Sequence, residues 1–403
     1  MIKMKGNNNW KVKPQSAIAL SILSAILISI VSYFQNNIAY ALFDDIDHIS
    51  KLEYIKRQLY NIQRNDSDVL FVNIAYDKKL IAYNNAEFGF PEGNIDVTDR
   101  SKLYKFLHLA RKANNYKFIF LDVRFEKGYE DNDTIIGKTI DEALYNEISL
   151  SPRIVLSNHS DILLADSALA EKAALNDYYT TITSTNLVRY QYLADDNKES
   201  VALRMYKDLN GKSISKHGPI YTSDGKLCYN SPFLRITHDF PSKFDENGNL
   251  NYYNLGVDIL DVFSEKEIID ILKNKIIIIG DFVEDIHDTY VGSLPGSYIT
   301  YNAYISLVKG KHLVNWYFVF VSFLLYVVIS ISMFYKKSII EYIPYLKTHQ
   351  SGLLCFLFSL IGYSAIILIV SDIFYLCLGE TSSIWFPSLF FSIGSTILKY
   401  IRR

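Results

Sequence analysis

Four stretches of this chain are almost free of charge, and they restrict everything else it can fold into. They run over residues 16–34, 313–335, 353–376 and 384–400. A helix that crosses a hydrocarbon core about 30 Å thick needs roughly 20 apolar residues. The first three stretches reach that length, and the fourth does so if Lys399 snorkels to the interface. Between Gln35 and Lys311 no stretch comes close. The sequence therefore predicts four transmembrane α-helices around one large domain at residues 35–311.

Lys and Arg set the orientation, because cytoplasmic flanks are enriched in them. Lys3, Lys5, Lys11 and Lys13 precede the first stretch, and Lys336, Lys337 and Lys347 lie between the second and third. Lys399, Arg402 and Arg403 follow the fourth, whereas the turn between the third and fourth holds only Glu380, with Asp372 just inside. The expected protein is multi-pass in a bacterial inner membrane, with both termini cytoplasmic. Residues 1–15 form a leader, 336–352 a cytoplasmic loop, and 35–311 lie outside the cytoplasm. Ala39-Tyr40-Ala41 matches a signal-peptide cleavage site. The apolar run before it exceeds the roughly 7–15 residues of such a peptide, which favours an uncleaved anchor.

The large domain carries 40 acidic against 31 basic residues and no basic patch, which argues against a nucleic-acid partner. Of the three cysteines only Cys228 lies in it, so no intramolecular disulfide is expected there. Its fold must rest on a core, which about 275 residues can build.

Apolar residues at spacings of three and four predict a helix over 44–66, followed by a strand at 69–74 and a loop through Phe88-Gly89-Phe90-Pro91. A helix over 100–113, a strand over 117–124, a helix over 134–147 and a strand at 153–156 come next. Short apolar runs alternating with amphipathic helices point to βαβ units and a mainly parallel sheet. From 178 to 253 the chain is more polar and carries Asn210-Gly211, Asp224-Gly225 and Asn247-Gly248, which favour hairpin turns. An antiparallel β insertion is expected there. A helix at 265–273, a buried strand at 275–280, a loop at 281–296 and a helix at 298–309 complete the α/β domain. That last helix is expected to run directly into the second span.

Two motifs carry a family resemblance. The first is Phe120-Leu121-Asp122-Val123-Arg124-Phe125 with Asp133 further on, and Arg100 opening the preceding helix. The second is Lys275-Ile276-Ile277-Ile278-Ile279-Gly280, then Asp288-Thr289, Pro295-Gly296 and Asn302-Ala303. In this order, with the spans, they resemble the extracellular sensory CHASE domain of the second class. The resemblance covers nearly the whole chain. It departs where Thr300-Tyr301-Asn302 stands for the family's His-Ala-Asn, where Thr289-Tyr290 stands for Thr-Pro, and in lacking a Trp-Pro before the arginine. The resemblance implies one span, an extracytoplasmic domain and three more spans, usually ahead of a cytoplasmic output module. No such module is read here, so a standalone form is expected.

The candidate ligand-binding residues are Arg100, Asp122, Asp133, Asp281, Asp288 and Asn302. Asp122 ends an expected parallel strand, where open α/β sheets place their sites, although a turn cap or a pair with Arg124 or Arg100 is the plainer role. Asp133 also reads as a helix N-cap. Asp281, Glu284, Asp285, His287 and Asp288 include oxygen donors, but their spacing matches no EF-hand loop, so no metal is expected. No G-x-S-x-G, H-E-x-x-H or G-x-x-x-x-G-K-[ST] occurs, so neither an enzyme nor a cofactor is expected.

These features predict a membrane-anchored sensory input module of bacterial signal transduction. Its expected partners are the bilayer, a small-molecule or envelope ligand, and a separate cytoplasmic output protein or membrane complex. Glycines and serines in the spans allow close helix contact, and so a bundle or a homo-oligomer. The alternative is a structural subunit of an envelope assembly with no small-molecule ligand.

Overall fold

The computed structural model describes residues 13–37, 48, 52–53, 55–56, 68–84, 91–135, 137–159, 162–176, 178–180, 187–194, 196–237, 240–335, 352–380 and 383–401. The chain forms two compact units, one built on the apolar helices and one on residues 61–313. Most of the helix expected over 44–66, and residues 85–90 of the expected loop, lie outside the described residues.

In chain order, α1 (Pro14–Gln35) precedes β1 (Val69–Asn73), β2 (Lys78–Asn84), β3 (Pro91–Thr98) and α2 (Arg100–Ala113). Next come β4 (Phe118–Leu121), β5 (Thr134–Ile135), β6 (Lys138–Thr139), α3 (Ile140–Leu150), β7 (Ile154–Asn158) and β8 (Ala173–Leu175). β9 (Tyr178–Thr180), β10 (Leu187–Tyr190), α4 (Val201–Asn210), β11 (Ile214–His217), β12 (Ile220–Ser223) and β13 (Lys226–Cys228) follow. After β14 (Tyr253–Asn254) there is a π-helical turn, Leu255–Leu260, then α5 (Glu265–Leu272) and β15 (Ile276–Gly280). β16 (Ile286–Thr289), β17 (Gly292–Pro295), α6 (Gly296–Val308), α7 (Trp316–Tyr335), α8 (Gly352–Leu378) and α9 (Trp385–Ile401) complete the chain.

The second unit is organised by a six-stranded sheet in the order β14-β1-β15-β4-β7-β8. Every neighbouring pair in it is parallel. Parallel strands covered on both faces read as unbroken apolar runs, and all five residues of β15 are buried. Side chains alternate between the faces. Leu70, Val72, Ile119, Leu121, Ile154, Leu156, Ile277 and Ile279 share a core with Leu103, Phe106 and Leu107 of α2, Leu144 and Ile148 of α3, and Ile268 and Leu272 of α5. Fully burying each such side chain stabilises the fold by roughly 1.5–3 kcal/mol. On the opposite face Phe71 meets Tyr298 and Tyr301 of α6 at ring-centroid distances of 5.6 and 5.8 Å.

Several local expectations are corrected. The helix expected over 134–147 begins at Ile140, because Thr139 and Glu142 form a reciprocal capping box. Thr134–Ile135 and Lys138–Thr139 instead pair as the short β5–β6 hairpin, and the N-cap of the helix is Thr139, not Asp133. The stretch 178–253 is not purely antiparallel β. It holds α4, whose Gly211 closes the helix in the left-handed conformation at φ 66°. Asp224-Gly225 does form the expected turn, between β12 and β13, with φ of 49° and 74°. The loop expected at 281–296 folds into the β16–β17 hairpin.

The last ectodomain helix does not run into the next span. α6 ends at Val308, Gly310 takes φ 67°, and α7 starts only at Trp316. Between them the Tyr229 N–H donates to the His312 carbonyl at 2.8 Å, and Leu313 bridges Cys228.

Among the described residues three helices are long and apolar enough to cross a membrane, not the expected four: α1, α7 and α8. The fourth apolar stretch forms α9, whose 17 residues rise only about 25 Å. Pro387, confined to the first turn, fixes where that helix begins. Buried Phe391 of α9 packs with Tyr326 and Tyr363, and the Tyr363 and Ser395 hydroxyls lie 2.7 Å apart. On α1 a stripe of small residues, Ala17, Ser21, Ser24 and Ala25, is buried with Ile28.

Candidate functional site

The carboxyl ends of β4, β7, β8 and β15 reach one edge of the parallel sheet, the usual place for a site in an open α/β fold. Asp122 follows β4, and its N–H donates to the Ile279 carbonyl at 2.8 Å. Ser157 is the penultimate residue of β7, the strand paired with β4. Asn176 follows β8 and directs Nδ2 at Asp122 Oδ1 across 3.5 Å, while its Oδ1 accepts from Thr300 Oγ1 at 2.7 Å. Thr300 lies on α6, whose first turn also supplies Ser297.

Gly280 makes this approach of helix to sheet feasible. A Cβ at that position would lie 2.7 Å from Ser297 Oγ and 3.5 Å from the Asp122 Cβ. Ser297 and Asp122 thus face each other across a glycine that leaves the space open. Gly296 does the same for the outer wall, where a Cβ would stand 2.4 Å from Asp285 Oδ2 and 3.2 Å from His287 Cδ2. His287 Nε2 and Asp285 Oδ1 pair at 2.9 Å.

Three polar atoms at this edge are closed to solvent and lack a hydrogen-bond partner among the described residues: Asp122 Oδ2, Ser157 Oγ and Ser297 Oγ. Ser157 and Ser297 are 7% and 0% exposed. Burial pushes the Asp122 carboxyl up to about 7, and the nearby Asp285 charge pushes the same way. The Ser157 hydroxyl and the imidazoles of His159 and His287 ease that shift. The hydrogen bond from His287 to Asp285 raises the imidazole above its ordinary value. An edge of this kind can hold a small polar group.

The six residues singled out in the sequence do not all gather here. Asp122 is at the centre. Arg100 is buried elsewhere, its guanidinium bound to Asp141 and lying 5.5 Å from the centre of the Phe125 ring. Asp133 is exposed and pairs with Lys79 at 2.6 Å. Asp281 follows β15, pairs with Lys78 at 2.9 Å, and accepts from the N–H groups of Val283 and Glu284, which hold its carboxyl below the usual range despite burial. Asp288 is exposed on β16 and accepts from Ser293 Oγ at 2.7 Å. Asn302 is buried in α6, donating to the Tyr298 carbonyl and accepting from Thr237.

Ser157, Asn176, Ser297 and Thr300 were not legible as site residues, and Asp285 was weighed only as an oxygen donor for a metal. The available signal was positional: Ser157 follows the apolar run Ile154-Val155-Leu156, and Ser297 follows Pro295-Gly296. Asn158, one residue beyond Ser157, points to the other side, where it lines a cleft of about 410 Å³ with Leu164, Leu175 and Arg204. Among the described residues no group of three His, Cys, Asp or Glu is placed to hold a metal ion.

No curated protein and no solved structure matches the chain. The family model of the CHASE2 domain matches residues 21–334. That span takes in both motifs, the whole parallel sheet, the helix α6 and α1 from residue 21 onward. CHASE2 is a family of extracellular sensory domains, and this chain belongs to it.

Proposed function

We propose that the protein is a membrane-anchored sensory input module whose α/β domain, held outside the cytoplasm, binds a small polar molecule at the edge formed by Asp122, Ser157 and Ser297. A separate cytoplasmic protein or membrane complex then reads the bound state. The observation that carries this is the group of three unpartnered, solvent-shielded polar atoms gathered where β4 and β7 meet the first turn of α6. Buried polar atoms in folded proteins are nearly always hydrogen-bonded, so orphans clustered at a sheet edge mark a place for an occupant. The four Lys before α1 support the orientation.

The site shares α6 with the chain leading to α7, so an occupant that draws on Ser297 acts on the helix nearest the membrane segment in sequence. A thermal-shift screen of the full-length protein in detergent against a library of small metabolites tests the reading. A ligand at 100 times its dissociation constant stabilises the fold by about 2.7 kcal/mol. The expected result is a stabilising metabolite whose effect disappears in Asp122→Ala. If shifts arise but persist undiminished in that variant, the site is misplaced. A protein that responds to no metabolite shifts the weight to a protein partner.

A further inference from the structure

The chemistry of this edge narrows what it would hold. Four other buried acids of the domain each have a cation. Lys102 serves Asp77 at 2.7 Å, Lys79 serves Asp131 at 2.7 Å, Arg100 serves Asp141, and Arg111 serves Glu147 at 2.5 Å. Asp122 pairs with no Lys or Arg among the described residues: Asn176 Nδ2 stands 3.5 Å from its Oδ1, and its other favourable neighbours are the Ser157 hydroxyl and the titratable imidazoles of His159 and His287. Buried charges in proteins are paired, because an isolated one is costly. No fixed cation of the described chain therefore neutralises Asp122, which stays uncharged by holding a proton.

Resting on the sensory reading above, we propose that the site takes a small molecule through a primary ammonium group seated among Asp122, Ser157 and Ser297. The orphan set is one carboxylate oxygen and two hydroxyl oxygens, all able to accept. An ammonium brings three donors and no acceptor, which matches that set one to one. A neutral polyol would leave the carboxylate without a countercharge, and an anion would face both Asp122 and Asp285. The wall formed by His159, Asp285 and His287 is only partly buried, so the group enters from solvent there. The domain's excess of acids over bases also favours an arriving cation.

The groups that bear on Asp122 come from every side: His159 beyond β7, Asp285 and His287 at β16, and the Tyr190 hydroxyl from β10. A proton on Asp122 competes with an ammonium for the same oxygen. Because that carboxyl is pushed up to about 7, affinity should be about tenfold tighter at pH 8 than at pH 6. Simple amines stay charged across this range.

The test is thermal unfolding of the full-length protein in detergent, titrated at both pH values with ethylamine, ethanolamine, putrescine and glycine. Tetramethylammonium, glycerol and acetate are the controls. The expected result is stabilisation by at least one primary amine, tighter at pH 8, lost in Asp122→Asn and kept in Asp288→Asn. Tetramethylammonium, which has charge but no N–H, should do nothing. Amine binding unchanged in Asp122→Asn overturns the inference. Asp122-dependent stabilisation by glycerol or acetate, with none by amines, overturns the ammonium class and leaves the sensory site standing. No shift with any probe overturns the ammonium class too, and the sensory reading then depends on the metabolite screen alone.

Discussion

At the scale of single residues, the buried polar groups fall into two kinds. Arg100 and Asp141 are almost fully enclosed, at 1% and 4% exposed, and the Asp131 N–H and Tyr145 hydroxyl also donate to Asp141 at 3.0 Å. Removing one member of such a pair leaves an uncompensated charge, which typically costs 3–5 kcal/mol. Arg100→Ala should lower unfolding free energy by about that much in a denaturant titration, and Arg100→Met with Asp141→Leu should recover most of it. An unchanged midpoint in the single variant would show that Arg100 is not buried against Asp141. The sequence marked Arg100 and Asp122 alike as polar residues beside apolar elements. It could not show that one had a charged partner 41 positions away and the other no Lys or Arg among the described residues. Pairing at that separation is set by how α2 and α3 pack, which no local pattern records.

At the scale of elements, strong local signals were read well. The helix at 100–113 and the apolar run leading to Gly280 were placed correctly, because the first has a 3.6-residue period and the second is apolar throughout. Turn signals were ambiguous: Asn-Gly suits a hairpin and a helix C-terminus equally, and at 210–211 the helix won. The β16–β17 hairpin was hidden by its charged residues, since a hairpin lying off the main sheet needs no apolar alternation. Gly280 is where element packing depends most on one residue. Gly280→Ala places a methyl 2.7 Å from Ser297 Oγ, and overpacking of this kind costs typically 1–3 kcal/mol. Adding Ser297→Gly should restore part of that loss. Additive losses in the double-mutant cycle would show that the two positions do not meet.

At the scale of the whole molecule, titration ties stability to pH in two opposing ways. The Asp122 carboxyl is raised from 3.8 to about 7, so the folded state holds a proton that the unfolded state has released. Its contribution is therefore lost as pH rises between those values. His287, raised by Asp285, adds to that trend above pH 6.5. His312 behaves oppositely. Burial lowers it from 6.5 to about 4, and neither ring nitrogen finds a partner among the described residues, so stability is lost as pH falls through that window. Melting curves from pH 4 to pH 8 should show Asp122→Asn with a shallower decline towards neutrality, the part owed to His287 remaining, and with the acid-side loss kept. A pH profile identical to wild type would mean that Asp122 carries no raised carboxyl.

The position of β15 also bears on how the chain is made. Val69 pairs with Ile276, and the strand holding Ile276 lies between β1 and β4, so the middle of the sheet is supplied by one of the last parts of the domain to leave the ribosome. Until then β1 and β4 have no common neighbour, and their apolar faces must wait through most of synthesis. Contacts this distant in sequence slow folding and prolong the exposure of sticky intermediates. A chain cut short before residue 276 therefore lacks the strand that joins β1 to β4, and its parallel sheet has no centre.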